Sequence, residues 1–225
     1  MSKSNLINRK TYHNTSLLTF GNSYCRYNLN LLKILIQATI NANEKIKEDE
    51  KDSYFYQKIK QEWLDLWKDE TELKNNYFNE STKKDFFNFA FHIPIWKGDY
   101  NLTSLAIEVW EEYDKTKKIE EFNLFFDRFL LNYIVTFRNK SYNPFLIVLN
   151  ELKNENKNKK DEEKVIVNNS KLREIFEKKF EYENFPLWKS RIFYLLISSS
   201  SYFEKENEYS LELKIDLKKI KELID

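Results

Sequence analysis

Glycine, proline, methionine and cysteine are nearly absent from this 225-residue chain, which has two, three, one and one of them. Two glycines cannot build a phosphate-cradling loop, and neither GxxxxGK[ST] nor GxGxxG occurs. A single cysteine excludes an internal disulfide framework and fits a reducing cytoplasm. Together with His13 and His92 it cannot complete a Cys/His zinc site. Neither histidine has a Ser or Cys nucleophile at a recognised spacing, so a catalytic triad has no support. No run approaches the roughly 18 apolar residues of a membrane span. The N-terminus also lacks the charged-then-apolar order of a secretory signal. The expectation is a soluble, cytoplasmic protein with no membrane partner.

Acidic residues are missing locally. Residues 1–43 carry Lys3, Arg9, Lys10, Arg26 and Lys33 but no Asp or Glu, leaving 32 basic against 36 acidic residues in 44–225. A chain of net charge +1 with one single-signed segment can turn that edge toward a polyanion while the rest stays solvated. Inside the segment lies Phe20-Gly21-Asn22-Ser23-Tyr24-Cys25-Arg26, directly ahead of an apolar helix. A glycine kept where almost none are used points to a special backbone angle or a close approach. Two more windows lack acids: 128–150, with Arg128, Arg138 and Lys140, and 184–203, with Lys189 and Arg191. Phosphate contacts need cations without competing carboxylates, helped by hydroxyl and amide donors such as Asn22, Ser23 and Ser198. Buried helices also exclude acids, so part of these windows is accounted for by core.

Rings are abundant. Eighteen Phe, 14 Tyr and 5 Trp mean a core built largely of aromatics, and 41% apolar residues are too many for a disordered chain. The richness in Lys, Asn, Ile, Tyr and Glu is what an AT-rich genome produces. Helical spacing joins Leu29, Leu32, Ile36 and Ile40, then Phe55, Ile59, Trp63 and Trp67. A Thr82-x-x-Asp85 capping pattern opens a short helix with Phe86, Phe89 and Ala90. Lys97-Gly98-Asp99 reads as a turn between two short strands, and Thr103 as the cap of the next helix, with Leu105, Val109 and Trp110 inward. The strongest helical stripe runs Phe122, Phe125, Phe126, Phe129, Leu130, Tyr133, Ile134. Asn143-Pro144 caps a helix over 145–152.

Residues 151–164 are charged and low in complexity, and are taken as a linker between units 1–150 and 165–225. Beyond it, Ser170 and Pro186 start two helices. A hairpin follows, in which Tyr209–Ile215 alternates with the period of a half-buried strand. The fold expected is mainly α, helical with two small β-hairpins, organised as two winged-helix-like units. Glu212-Leu213-Lys214 on that last strand matches half of the Asp…Glu-x-Lys pattern of Mg²⁺-dependent nucleases. The nearest preceding aspartate is Asp161, in the linker, and Glu-x-Lys arises by chance in a chain this rich in both. A polar strand face accounts for the pair, so Glu212 and Lys214 are weak catalytic candidates.

Several segments resemble the DNA-recognition region of AlwI-like type IIS restriction endonucleases. Gly21-Asn22-Ser23-Tyr24-Cys25-Arg26-Tyr27-Asn28 is similar to that family's Gly-Asn-Thr-x-x-Arg-Asn-Pro-like segment, without its proline. Tyr100–Ala106, Ser141–Leu149 and Arg191–Ile215 are similar to its hairpin and Leu-Thr segment, its Asn-Pro helix, and its closing helix and wing. The order agrees along the chain. In that family a separate cleavage domain with metal-binding carboxylates follows, and this sequence stops where it would begin. The resemblance implies a sequence-selective double-stranded DNA-binding module or specificity subunit of a restriction or other anti-phage system. It would lack its own cleavage centre and hold no cofactor, with Mg²⁺ needed only where a nuclease centre is present. Expected DNA contacts are Asn22, Ser23, Arg26 and Lys33, then Arg138 and Lys140, then Lys189, Arg191 and Lys205. The rival is a helical interaction subunit that docks a nuclease or helicase partner through exposed rings around Trp63, Trp67 and Trp110. A third reading is a standalone Mg²⁺-dependent nuclease using Glu212 and Lys214.

Overall fold

A computed structural model describes residues 12–14, 28–46, 51–69, 93–97, 100–156 and 164–216. The chain folds as two compact units, one of Phe20–Phe125 and one of Met1–Thr19 with Phe126–Asp225. Among the described residues it is mainly helical, with three small sheets.

In the Phe20–Phe125 unit, α2 (Lys51–Asp69) buries the stripe that its spacing announces, while α1 (Asn28–Lys45) buries the middle of its own and leaves Leu29 and Ile40 half-buried. Leu32 and Ile36 are inaccessible, and Phe55, Ile59, Trp63 and Trp67 are 0–4% exposed. Trp63 meets Trp67 edge-on at 4.9 Å. These two tryptophans are therefore core, which removes them from the exposed ring patch expected of an interaction subunit, and Trp110 is half-buried. The expected hairpin is present as β2 (Trp96–Lys97) against β3 (Asn101–Leu102). It is tied to α1 by Thr39, whose hydroxyl donates to the Leu35 carbonyl and accepts from Trp96 Nε1 at 3.0 Å. Thr103 caps α3 (Ser104–Thr116) by accepting from Ala106 N–H, while its own hydroxyl donates to the Pro94 carbonyl at 2.6 Å. The side chains that α3 buries are Ala106 and Val109, with Leu105 only half-buried. The Gly21 turn and the Thr82–Ala90 helix lie outside the described residues.

A 3₁₀ turn (Ile119–Phe122) leads into α4 (Asn123–Asn132), within which the two units divide. The helix stops short of its apolar stripe. Tyr133 and Ile134, expected to be helical, begin strand β4 (Tyr133–Phe137). The run Ile134-Val135-Thr136 is β-branched, which lowers helix propensity and suits a pleated surface. β4 pairs antiparallel with β5 (Lys140–Tyr142) and parallel with β1 (Tyr12–Asn14). Arg138 and Asn139 form a two-residue turn with φ of 49° and 62°. Both left-handed values are what a type I′ hairpin turn demands.

Asn143 then joins two helices. Its Oδ1 accepts from the N–H groups of Phe145 and Leu146 at the start of α5 (Pro144–Glu155). Its Nδ2 donates to the carbonyls of Leu130 and Leu131 at the end of α4. α5 runs through the first five residues of the expected linker, because Leu152 continues the buried series Phe145, Val148, Leu149. The charged composition hid that continuation. Residues 151–164 thus lie within one unit, and residues 157–163 are outside the described residues.

β6 (Ile166–Asn168) had no sequence signal. It pairs with β8 (Ser210–Leu213), which pairs with β7 (Phe203–Asn207), giving the sheet order β6-β8-β7 with both pairings antiparallel. Between β6 and β7 lie α6 (Asn169–Phe180) and α7 (Leu187–Ile197). Asn168, rather than Ser170, caps α6 by accepting from Lys171 N–H at 2.8 Å. Glu177 closes the turn between the helices, accepting from Arg173 Nε and from Phe185 N–H at 2.9 Å. This seats the Phe185 ring against Phe176 and Phe180.

Asp127 of α4 anchors the far end of α7. It accepts from Ser201 N–H at 2.8 Å and from Ser201 Oγ at 2.5 Å. Burial holds its carboxyl above its ordinary pKa, and the two Ser201 hydrogen bonds offset this only in part. Burial, with the nearby Asp127 charge, pushes the Tyr202 phenol up to about 12. A raised acid binds its proton more tightly in the folded state. Asp127 therefore adds stability that is full below the unfolded pKa and is lost as pH rises through the folded one. Asp127→Asn, which keeps an acceptor for Ser201 N–H, is expected to flatten the stability profile from the usual carboxylate range up toward neutrality. Superposable urea midpoints for wild type and variant across pH 3–7 would overturn this.

Candidate nucleic-acid interface

Of the residues expected to contact DNA, Asn22, Ser23 and Arg26 lie outside the described residues. Lys33 is half-buried on α1 in the Phe20–Phe125 unit. The other five belong to the unit that contains Phe126–Asp225, and they fall on three elements.

Lys189 and Arg191 lie on α7, whose inward face is Ser190, Ile192, Phe193, Leu196 and Ile197. Outward in its first turn are Leu187 and Trp188, 52% and 41% exposed, with Arg191 also exposed. The Lys189 ammonium sits 5.3 Å from the centre of the Trp188 ring, and burial lowers its pKa. No acid occurs between residues 184 and 203, so α7 itself contributes only apolar, polar and cationic side chains to this face.

Lys205, on β7, is exposed but stands between Glu204 and Glu206. On the opposite sheet face, Glu204, Glu206 and Glu212 form an ion-pair ladder with two lysines. Lys164 reaches Glu206 at 2.9 Å and Glu212 at 3.1 Å, and Lys214 reaches Glu204 at 2.7 Å and Glu212 at 3.3 Å. Glu212 is held below its ordinary pKa, first by the Lys164 hydrogen bond and also by Lys214. The Glu-x-Lys pair is thus engaged with neighbouring strands, and Asp161 lies outside the described residues. Among the described residues no three His, Cys, Asp or Glu side chains are grouped to hold a metal. None of the described helices is long and apolar enough to cross a membrane.

Arg138, in the tip of the β4–β5 hairpin, and Lys140, just after it, lie beside a recess of about 490 Å³. Lys178 and Lys179 of α6 line its other side, with Phe137, Tyr142 and Phe180 as its aromatic wall and Glu151 and Glu181 at its rim. Lys178 and Lys179 were missed in the sequence because a Lys-Lys pair in a helix with many charges reads as a solvated face. The exposed Leu187-Trp188 pair was missed because apolar residues in a helix read as core.

No family model, curated protein or solved structure matches this chain.

Proposed function

We propose that this protein is a sequence-selective, double-stranded-DNA-binding module or specificity subunit of a cytoplasmic restriction or anti-phage system. It would lack its own cleavage centre, and Mg²⁺ would serve a partner nuclease. The observation that carries the reading is the order of residues 144–213: helix α5, strand β6, helices α6 and α7, then the β7–β8 hairpin. With β6 pairing to β8, this order and pairing support a winged-helix-like reading, in which the helix preceding the hairpin would be the one offered to the major groove. The exposed turn of α7, which contributes Arg191 and no acid of its own, is compatible with that role. Arg191 is the base-reading candidate, Lys189 supports it, and Arg138 and Lys140 act as backbone clamps. The acidic hairpin disfavours Lys205 as a phosphate contact.

The test is selection of bound duplexes from a randomised pool at physiological salt with Mg²⁺ present. A short consensus recovered without cleavage is the expected result. Arg191→Ala should then weaken binding to the selected duplex by about 1–3 kcal/mol and relax the consensus at one position. Equal binding by the folded variant would remove Arg191 from the interface.

The exposed Leu187 and Trp188 favour one alternative, a helical subunit that docks a nuclease or helicase partner through α7. Recovery of no DNA by the folded protein would support that reading and overturn the first.

A further inference from the structure

We infer that the recess between the β4–β5 hairpin and the end of α6 is a sequence-independent seat for a phosphodiester backbone. Its cations are Arg138, Lys140 and Lys179, and Lys178 is held in reserve by Glu151. The inference rests on the DNA-binding reading and adds to it a second contact region, on side chains from two elements.

The charge balance of the recess supports this. Lys178 pairs with Glu151 at 3.1 Å, and that glutamate is only 17% exposed, so the two neutralise each other. The remaining acid is Glu181, whose side chain is 86% exposed and meets Arg138 only at 3.9 Å. An exposed pair at that distance is easily exchanged for a phosphate. Arg138, Lys140 and Lys179 then face the recess as an excess of positive charge. Cations in the last turn of a helix also favour the helix itself, which accounts for Lys178 and Lys179 but not for the hairpin.

The hairpin tip adds a second, independent observation. Arg138 has a left-handed backbone, φ 49°, at a turn position where glycine carries no steric penalty. Backbone strain of this kind collects at binding sites, and here it sets an arginine at the hairpin tip. Its guanidinium lies 5.1 Å from the centre of the Phe137 ring, which holds it at the mouth of the recess.

The experiment measures affinity against salt for the selected duplex, an unrelated duplex and inorganic polyphosphate. Proteins compared are the wild type, Arg138→Gly, Lys179→Gln and the pair Lys140→Gln/Lys179→Gln. Each lost phosphate contact should reduce the slope of log affinity against log salt by about 1. The double variant should bind both duplexes about tenfold more weakly near physiological salt while selecting an unchanged consensus. Arg138→Gly should raise the melting temperature, by relieving strain, and still lose affinity. A merely structural role would not separate those two effects. Unchanged slopes in folded variants would overturn the seat and leave the DNA-binding reading standing. Polyphosphate bound by the wild type and released by the variants, with no duplex selected, would uphold the seat and overturn that reading. No polyanion bound by the wild type would overturn both.

Discussion

Phe176→Ala is expected to remove about 3–5 kcal/mol from the unit that contains Phe126–Asp225, the usual cost of emptying a buried ring site. Phe176 is inaccessible to solvent and meets three other rings, Phe180 at 5.8 Å, Phe185 at 5.4 Å and Phe193 at 5.2 Å. These rings come from α6, the turn after it, and α7, so one truncation loosens the joint that sets the angle between the two helices. A domain holds only about 5–15 kcal/mol in total, so the loss would leave this unit near the edge of folding. Urea denaturation should show a much lower midpoint at an unchanged slope. A loss under about 1 kcal/mol would mean that the rings repack, and that Phe176 does not hold the joint. Phe176→Leu, which fills much of the site, should recover a large part of the stability.

Asn143→Ala should cost about 2–3 kcal/mol, more than an ordinary cap. The cap alone, Oδ1 on the N–H groups of Phe145 and Leu146, accounts for about 1 kcal/mol. The remainder comes from the carbonyls of Leu130 and Leu131, which lose the two Nδ2 bonds that satisfy the end of α4. Serine separates the two contributions, since its hydroxyl can cap α5 but cannot also reach both carbonyls. Asn143→Ser should therefore fall between wild type and Asn143→Ala in chemical denaturation. If serine matches wild type, the link between α4 and α5 contributes nothing, and Asn143 is a simple cap. The same experiment bears on function, because Asn143 fixes α5 against the end of α4, just before the β4–β5 hairpin that carries Arg138 and Lys140.

The mainly helical class, the caps at Thr103 and Asn143, the buried stripe of α2 and the Leu32 and Ile36 positions of α1 were legible in the sequence. Each is a local effect: an apolar residue every three or four positions, or a short polar side chain just ahead of a helix. Local rules failed where two signals competed. Tyr133 and Ile134 continue a helical stripe, yet they begin a strand, because β-branched Ile134-Val135-Thr136 can pair with β5 and β1. The charged stretch 151–164 obscured Leu152, which extends α5 by burial rather than by composition. The three-residue strands β1 and β6 carry no periodic signal, since pairing with a distant strand, not propensity, makes them strands.

The positions of charge divide in the same way. The sequence by itself determined where acids are absent, and so which segments could face a polyanion without internal repulsion. Only the tertiary structure decided which cations stand together. It set Lys178 and Lys179 beside Arg138 and Lys140, nearly forty residues away in the chain, and it enclosed Glu212 between Lys164 and Lys214. Electrostatic neighbours depend on distance through space, which the chain order does not encode until the helices have packed.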